Sequence, residues 1–151
     1  MVSDKYISAQ FDRLSNNEKV EILLRALEFM QADNRHSKSD CIALAMGIPI
    51  FPKVDKIVNI NGYVVKLTFK HGEKRVIDFR SFLDKNRATE KVLLEDYQKF
   101  RKVEVINGAL TWPEVGSTST DFEGREQFFP YDIDPGWLYE HSLPVQLEKT
   151  P

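Results

Sequence analysis

Three aspartates are the residues of this chain whose types and spacing best suit chemistry. Asp132 and Asp134 stand two positions apart with Glu140 shortly after them, and Asp78 closes an apolar stretch that reads as a strand. Carboxylates so placed could hold a cation or exchange a proton with a substrate. The plainer reading has Asp134 capping a helix, Asp132 ending a turn or pairing with a nearby cation, and Asp78 capping the turn at Ser81-Phe82-Leu83. We favour it because no Ser-His-Asp order, phosphate-binding glycine loop or dinucleotide fingerprint accompanies them. A small carboxylate-based enzyme is thus the least favoured functional reading, and no catalytic residue is assigned. His36, His71, His141 and Cys41 lack ligand spacing, so no metal or cofactor is expected.

Two surfaces remain as candidates for recognition. Phe128-Phe129-Pro130-Tyr131 adjoins a polar stretch that also holds Phe122 and Arg125, and so many aromatics beside a polar loop are hard to bury together. Phe122, Arg125, Phe128, Phe129 and Tyr131 are therefore the expected partner-binding residues. Lys66, Lys70, Lys74 and Arg75, with Arg80, Lys85 and Arg87 beyond, form a basic cluster that could contact an anion. A solvated strand edge is the simpler account of it. Trp112, Trp137 and Tyr139 read as packing aromatics that lock a terminal helix onto a sheet.

Charge is distributed unevenly. The net charge of −2 divides into −1 over residues 1–52, +6 over 53–103 and −7 over 104–151. The basic middle segment supports a nucleic-acid-associated regulator as an alternative reading, though a net acidic chain argues against it. One cysteine, no apolar leader and no long apolar run lead to the expectation of a cytoplasmic protein away from the membrane. Cys41 lies among small apolar residues and reads as a packed thiol.

The elements that must position these groups change period at Pro52. Before it, residues 4–47 read as helices: Ser15-Asn16-Asn17-Glu18 has the form of a capping box, and Val20, Leu23, Leu24, Leu27 and Met30 recur at helical spacing, with Ile22, Ala26 and Phe29 widening the apolar face. A shorter helix begins after Ser37 or Ser39 and stops near Gly47. Its lack of base-reading side chains argues against a helix-turn-helix module and for a bundle packed on the sheet or on a second copy. After Pro52, Asn61-Gly62 and Asn107-Gly108 each predict a tight hairpin, and Tyr63, Val65, Leu67 and Phe69 should face the core. Pro113 should end its strand, residues 114–131 should form a long loop, and Asp134-Pro135 should launch a last helix.

At this point the pattern resembles a known family. Tyr63 to Phe69 followed by Gly72, then Asp78-Phe79, Leu94, Phe100, Val103, Val105 and Gly108, the pair Trp112-Pro113, and Asp132-Ile133-Asp134-Pro135 with Leu138-Tyr139-Glu140 are similar to the bacterial domain of unknown function DUF2442, over about residues 54–142. The resemblance implies a compact α+β domain, and an antitoxin-like partner role, as in members that look like partners of small toxin-like proteins. It carries over no catalytic residues. This chain adds two things to the family pattern: residues 114–131, where the family usually has only a few, and the helices before Pro52.

The expectation is an α+β protein in which a helical segment, residues 1–50, packs on a five-stranded, mainly antiparallel sheet with short helices, residues 53–142, followed by a flexible tail, 143–151. Its expected role is non-enzymatic binding or regulation through loop 114–131, with a protein partner or a second copy.

Overall fold

In a computed structural model the structure describes residues 1–32 and 35–145, and the chain divides into two compact units, residues 1–52 and 53–151. The first unit is helical: α1 (Asp4–Asp12), α2 (Asn16–Ala32) and α3 (Lys38–Ala45). The capping box forms as its sequence requires, with the Glu18 amide donating to Ser15 Oγ at 3.2 Å and the Ser15 amide donating to Glu18 Oε1 at 3.1 Å. Ser37 caps α3 by accepting from the Asp40 amide at 3.1 Å. Small side chains let α2 approach α3: Ala26, Cys41 and Ala45 are buried together, with Ile22 and Met30 against them. That contact uses a different face from the expected one. Val20, Leu23, Leu24 and Leu27 remain exposed, because a short partner helix of small residues covers only one stripe of α2.

The second unit carries the sheets. Among the described residues it holds β1 (Val54–Asn61), β2 (Val64–Phe69), β3 (Lys74–Asp78), a 3-10 turn (Phe79–Ser81), α4 (Ala88–Glu95), α5 (Tyr97–Phe100), β4 (Glu104–Ile106), β5 (Ala109–Thr120), β6 (Glu126–Ile133), α6 (Pro135–His141) and β7 (Leu143–Pro144). The fold is α+β, but the expected single five-stranded sheet is instead two antiparallel sheets, ordered β1-β2-β3-β7 and β4-β5-β6. Each Asn-Gly hairpin seeds its own sheet, and the two meet where the Val54 amide donates to the Gly108 carbonyl at 2.8 Å. Leu143–Pro144, expected in a flexible tail, adds a short strand to β3, and residues 146–151 lie outside the described residues.

The two hairpins obey their sequence signals differently. Asn107 and Gly108 both take positive φ, 52° and 77°, and join Ile106 to Ala109 as a type I′ turn requires. At the first hairpin only Gly62 is left-handed, φ 59°, and Asn61 pairs with Val64, so the turn is Gly62-Tyr63 rather than Asn61-Gly62. Tyr63 explains the shift. Its ring lies 4.5 Å from that of Phe100, and its hydroxyl donates toward the Leu93 and Leu94 carbonyls, 2.9 and 2.8 Å away, at the end of α4. The core then collects Val65, Leu67, Phe69, Phe79, Leu93, Phe100, Leu110, Trp112 and Leu138, all essentially inaccessible. Trp112 satisfies its indole by donating to the Phe100 carbonyl at 2.7 Å. Helices α4 and α5 are separated at Asp96, whose carboxylate caps α5 by accepting from the Gln98 and Lys99 amides.

Candidate partner-contacting ribbon and adjoining groove

Strands β5 and β6 begin as sheet and continue as a free ribbon. Leu110, Thr111 and Trp112 pair with Ile133, Asp132 and Tyr131, and after a register break the ladder resumes from Gly116↔Pro130 to Thr120↔Glu126. The residues expected to form a loop, 114–131, are thus mostly paired strand. Pro113 does not end β5; it sits in the irregular stretch between Trp112 and Gly116, where a missing amide costs no ladder bond. Gly116 is required there, since a Cβ would collide with the Phe129 carbonyl. The tip is ordered by Asp121, whose carboxylate accepts from the Glu123 and Arg125 amides at 2.9 Å each, with Gly124 at φ 80°.

The five expected partner-binding residues do not form one patch. Phe122 occupies the tip fully exposed, whereas Phe128 and Phe129 lie opposite Thr118 and Ser117 and, as consecutive strand residues, point to opposite faces. They are 46% and 47% exposed, so neither is packed. Arg125 pairs with Glu123 at 2.7 Å on the surface. Tyr131 belongs elsewhere: its ring lies 5.5 Å from Trp112 at the root of the ribbon. Burial, reinforced by the nearby Glu90 carboxylate and opposed by Arg87, pushes its hydroxyl up to about 12. Among the described residues β6 is a sheet edge, and β4 pairs only with Ala109–Thr111, so both edges of the outer ribbon are open.

The expected anion-contacting cluster is not brought together as a surface. Lys70 and Lys74 are exposed and Lys66 is half-buried, but Arg75 is buried, and each of its three guanidinium nitrogens donates a hydrogen bond. It donates to Glu73 at 2.8 Å, to Ser142 Oγ at 2.8 Å and to the Ser142 carbonyl at 2.6 Å, and its guanidinium lies 4.2 Å from the centre of the Tyr139 ring. Glu73 also accepts from Tyr139 at 2.5 Å and lies 3.0 Å from His71 Nε2. Burial alone would raise the Glu73 pKa, but the hydrogen bonds from His71, Tyr139 and Arg75 outweigh it and hold the carboxyl below its ordinary value. Adjacent lysines gave no sequence signal that Arg75 would be internal. This network fastens α6 to β3, and the side chains that form it are enclosed.

Of the three aspartates, Asp78 caps the 3-10 turn by accepting from the Arg80 amide at 3.0 Å. Asp132 and Asp134 do share a groove of about 550 Å³ with Phe82, Arg87, Glu90, Tyr131 and Trp137. Asp134 is the N-cap of α6, accepting from the Trp137 amide at 2.9 Å. Sequence reasoning missed Glu90, a carboxylate only 6% exposed that accepts from the Asp84 amide at 3.2 Å. Its place on α4 gave no hint that it would face Tyr131. Among the described residues no cluster of His, Cys, Asp or Glu could hold a metal ion, and no helix is long and apolar enough to cross a membrane.

No curated protein and no solved structure matches the chain. One family model does, covering β1 to the start of the outer ribbon and carrying the resemblance that the sequence suggested: residues 54–117 match the family described as Protein of unknown function (DUF2442).

Proposed function

We propose that this is a non-enzymatic binding or regulatory protein whose outer β5–β6 ribbon contacts a protein partner. The observation that carries the reading is the ribbon itself, a two-stranded extension with open edges that exposes Phe122, Phe128 and Phe129 at its tip and on both faces. An open edge can accept an added strand through main-chain hydrogen bonds, while aromatics on either face supply apolar contact. Isolated two-stranded ribbons are marginal in water, which suits a segment completed by its partner. An antitoxin-like role in a bacterial cytoplasm falls within this reading. Replacing residues 117–129 by an Asn-Gly turn closes the hairpin at the Gly116↔Pro130 pair. Partner co-purification should then be lost while the thermal melt stays close to wild type; unaltered co-purification would overturn the reading.

Self-association is a second reading, supported by the exposed stripe Val20, Leu23, Leu24 and Leu27 on α2. Under it, Leu24→Lys shifts the mass measured by light scattering from dimer to monomer, and a wild-type chain that is monomeric at high concentration excludes it.

A further inference from the structure

The outer face of the sheet formed by β1, β2 and β3 gathers three lysines around one buried hydroxyl. Thr68 lies directly opposite Lys56 on β1 and Lys74 on β3. Residues so paired share a face, with Cβ atoms about 4.5–5.5 Å apart. Lys66, two residues along β2, rises from the same face. That face is turned away from the core, since Val65, Leu67 and Phe69 alternate with these residues and are inaccessible. Lys66 and Lys74 belong to the cluster read from the sequence, whereas Lys56 joins them only through the β1–β2 register. The three lysines have no hydrogen-bond or ion-pair partner among the described residues. Asp78, opposite Val64 on this face, stands four residues along the ladder from Thr68, and its carboxylate is engaged by the Arg80 amide.

Thr68 itself is only 8% exposed, and its hydroxyl is buried with no hydrogen-bond partner among the described residues. A buried hydroxyl left unpaired costs free energy and is rare in folded chains. Set among unpaired cations, such a donor calls for an anion to complete it. A tetrahedral phosphate presents acceptor oxygens in several directions and can meet donors from three strands, which the two oxygens of a planar carboxylate do less well. We propose that this face binds a phosphate group, with Lys56, Lys66 and Lys74 as its counter-charges and the Thr68 hydroxyl as a hydrogen-bond donor. The lysines carry flexible four-carbon stems, so side-chain motion opens the hydroxyl without disturbing the ladder. The proposal is independent of the ribbon reading, since none of these residues lies in β5 or β6.

Tripolyphosphate titrated at low salt into the isotope-labelled full chain tests it. The amide signals of Lys56, Thr68 and Lys74 should shift saturably. Lys56→Gln with Lys74→Gln should weaken binding by about tenfold or more, while Lys85→Gln with Lys99→Gln, which removes the same charge from exposed positions elsewhere, should leave the affinity unchanged. Thr68→Val should weaken binding by about fivefold, the size of one hydrogen bond, and should hold or raise the thermal melt of the free protein because it removes an unpaired buried group. A short DNA duplex in place of tripolyphosphate separates the sources: tighter binding with the same dependence on Thr68 assigns a nucleic-acid backbone, and weaker binding assigns a small phosphorylated ligand. Shifts that never saturate, an equal loss in the two double variants, or unchanged affinity in Thr68→Val overturns the proposal.

Discussion

The inner and outer halves of β5 belong to one strand and obey opposite physics. From Leu110 to Val115 the strand contributes Leu110, Trp112 and Val115 to the core; from Gly116 to Thr120 it is mostly exposed and paired only with β6. The inner half is held by tertiary contacts, with Trp112 packed between Phe79 and Phe100. The outer half is held by its own ladder and the Asp121 turn. Under the proposed function, stability and recognition are separated along one element: changes inside should unfold the domain, and changes outside should leave it folded but alter what it meets.

The sharpest test of that separation is Trp112→Ala. It removes a fully buried ring and the bond to the Phe100 carbonyl, and should cost about 3–5 kcal/mol in denaturant titration. A loss under about 1 kcal/mol would mean that the inner half is no more anchored than the outer.

Glu73→Gln probes a second internal anchor and should cost about 3 kcal/mol at neutral pH, because Arg75 is left buried beside a neutral amide. The sign with pH follows from the lowered Glu73 pKa. Its contribution is complete above the ordinary glutamate value and is lost as pH falls through the folded value, when the wild-type carboxyl also becomes neutral. The stability gap between wild type and variant should therefore narrow in acid; a gap constant from neutral to acid pH would remove Glu73 as the titrating anchor.

Smaller effects should follow in the ribbon. Gly116→Ala forces a Cβ against the Phe129 carbonyl, yet an exposed ribbon can splay, so global stability should fall by less than about 1 kcal/mol while amide exchange quickens from Ser117 to Phe129. Cooperative global unfolding in that variant would show the two halves to be one unit. Phe128→Ala and Phe129→Ala should each change stability by no more than about 0.5 kcal/mol, and a larger loss in a thermal melt would show that these rings already pack in the free protein.

Locally encoded features were legible in the sequence. The Ser15–Glu18 box, the Ser37 and Asp134 caps and the Asn107-Gly108 turn each need only residues within one turn of each other, and each forms. The alternation of Tyr63, Val65, Leu67 and Phe69 likewise named core residues. Legibility failed where a distant group decided. Residues 114–131 look polar enough for a loop, but polar residues pair well enough when each strand supplies the other's hydrogen bonds. Of the candidate site, Asp132, Asp134 and Tyr131 were visible as chemistry, whereas Glu90 and Phe82 reach the same groove only through the fold.

The sequence by itself determined the helical first unit, the strand-rich second unit, the principal caps and turns, and the aromatics worth testing, because backbone preference and side-chain period act over a few residues. Tertiary structure alone decided that the strands form two sheets, that the first hairpin turns at Gly62-Tyr63, that Arg75 lies inside, and that Tyr131 parts company with Phe128 and Phe129. Each of those outcomes turns on partners far apart in the chain: Tyr63 with Leu93 and Phe100, Arg75 with Ser142, Tyr131 with Trp112. Burial and hydrogen bonding between such partners outweigh the local signals, and no window of sequence contains both members of the pair.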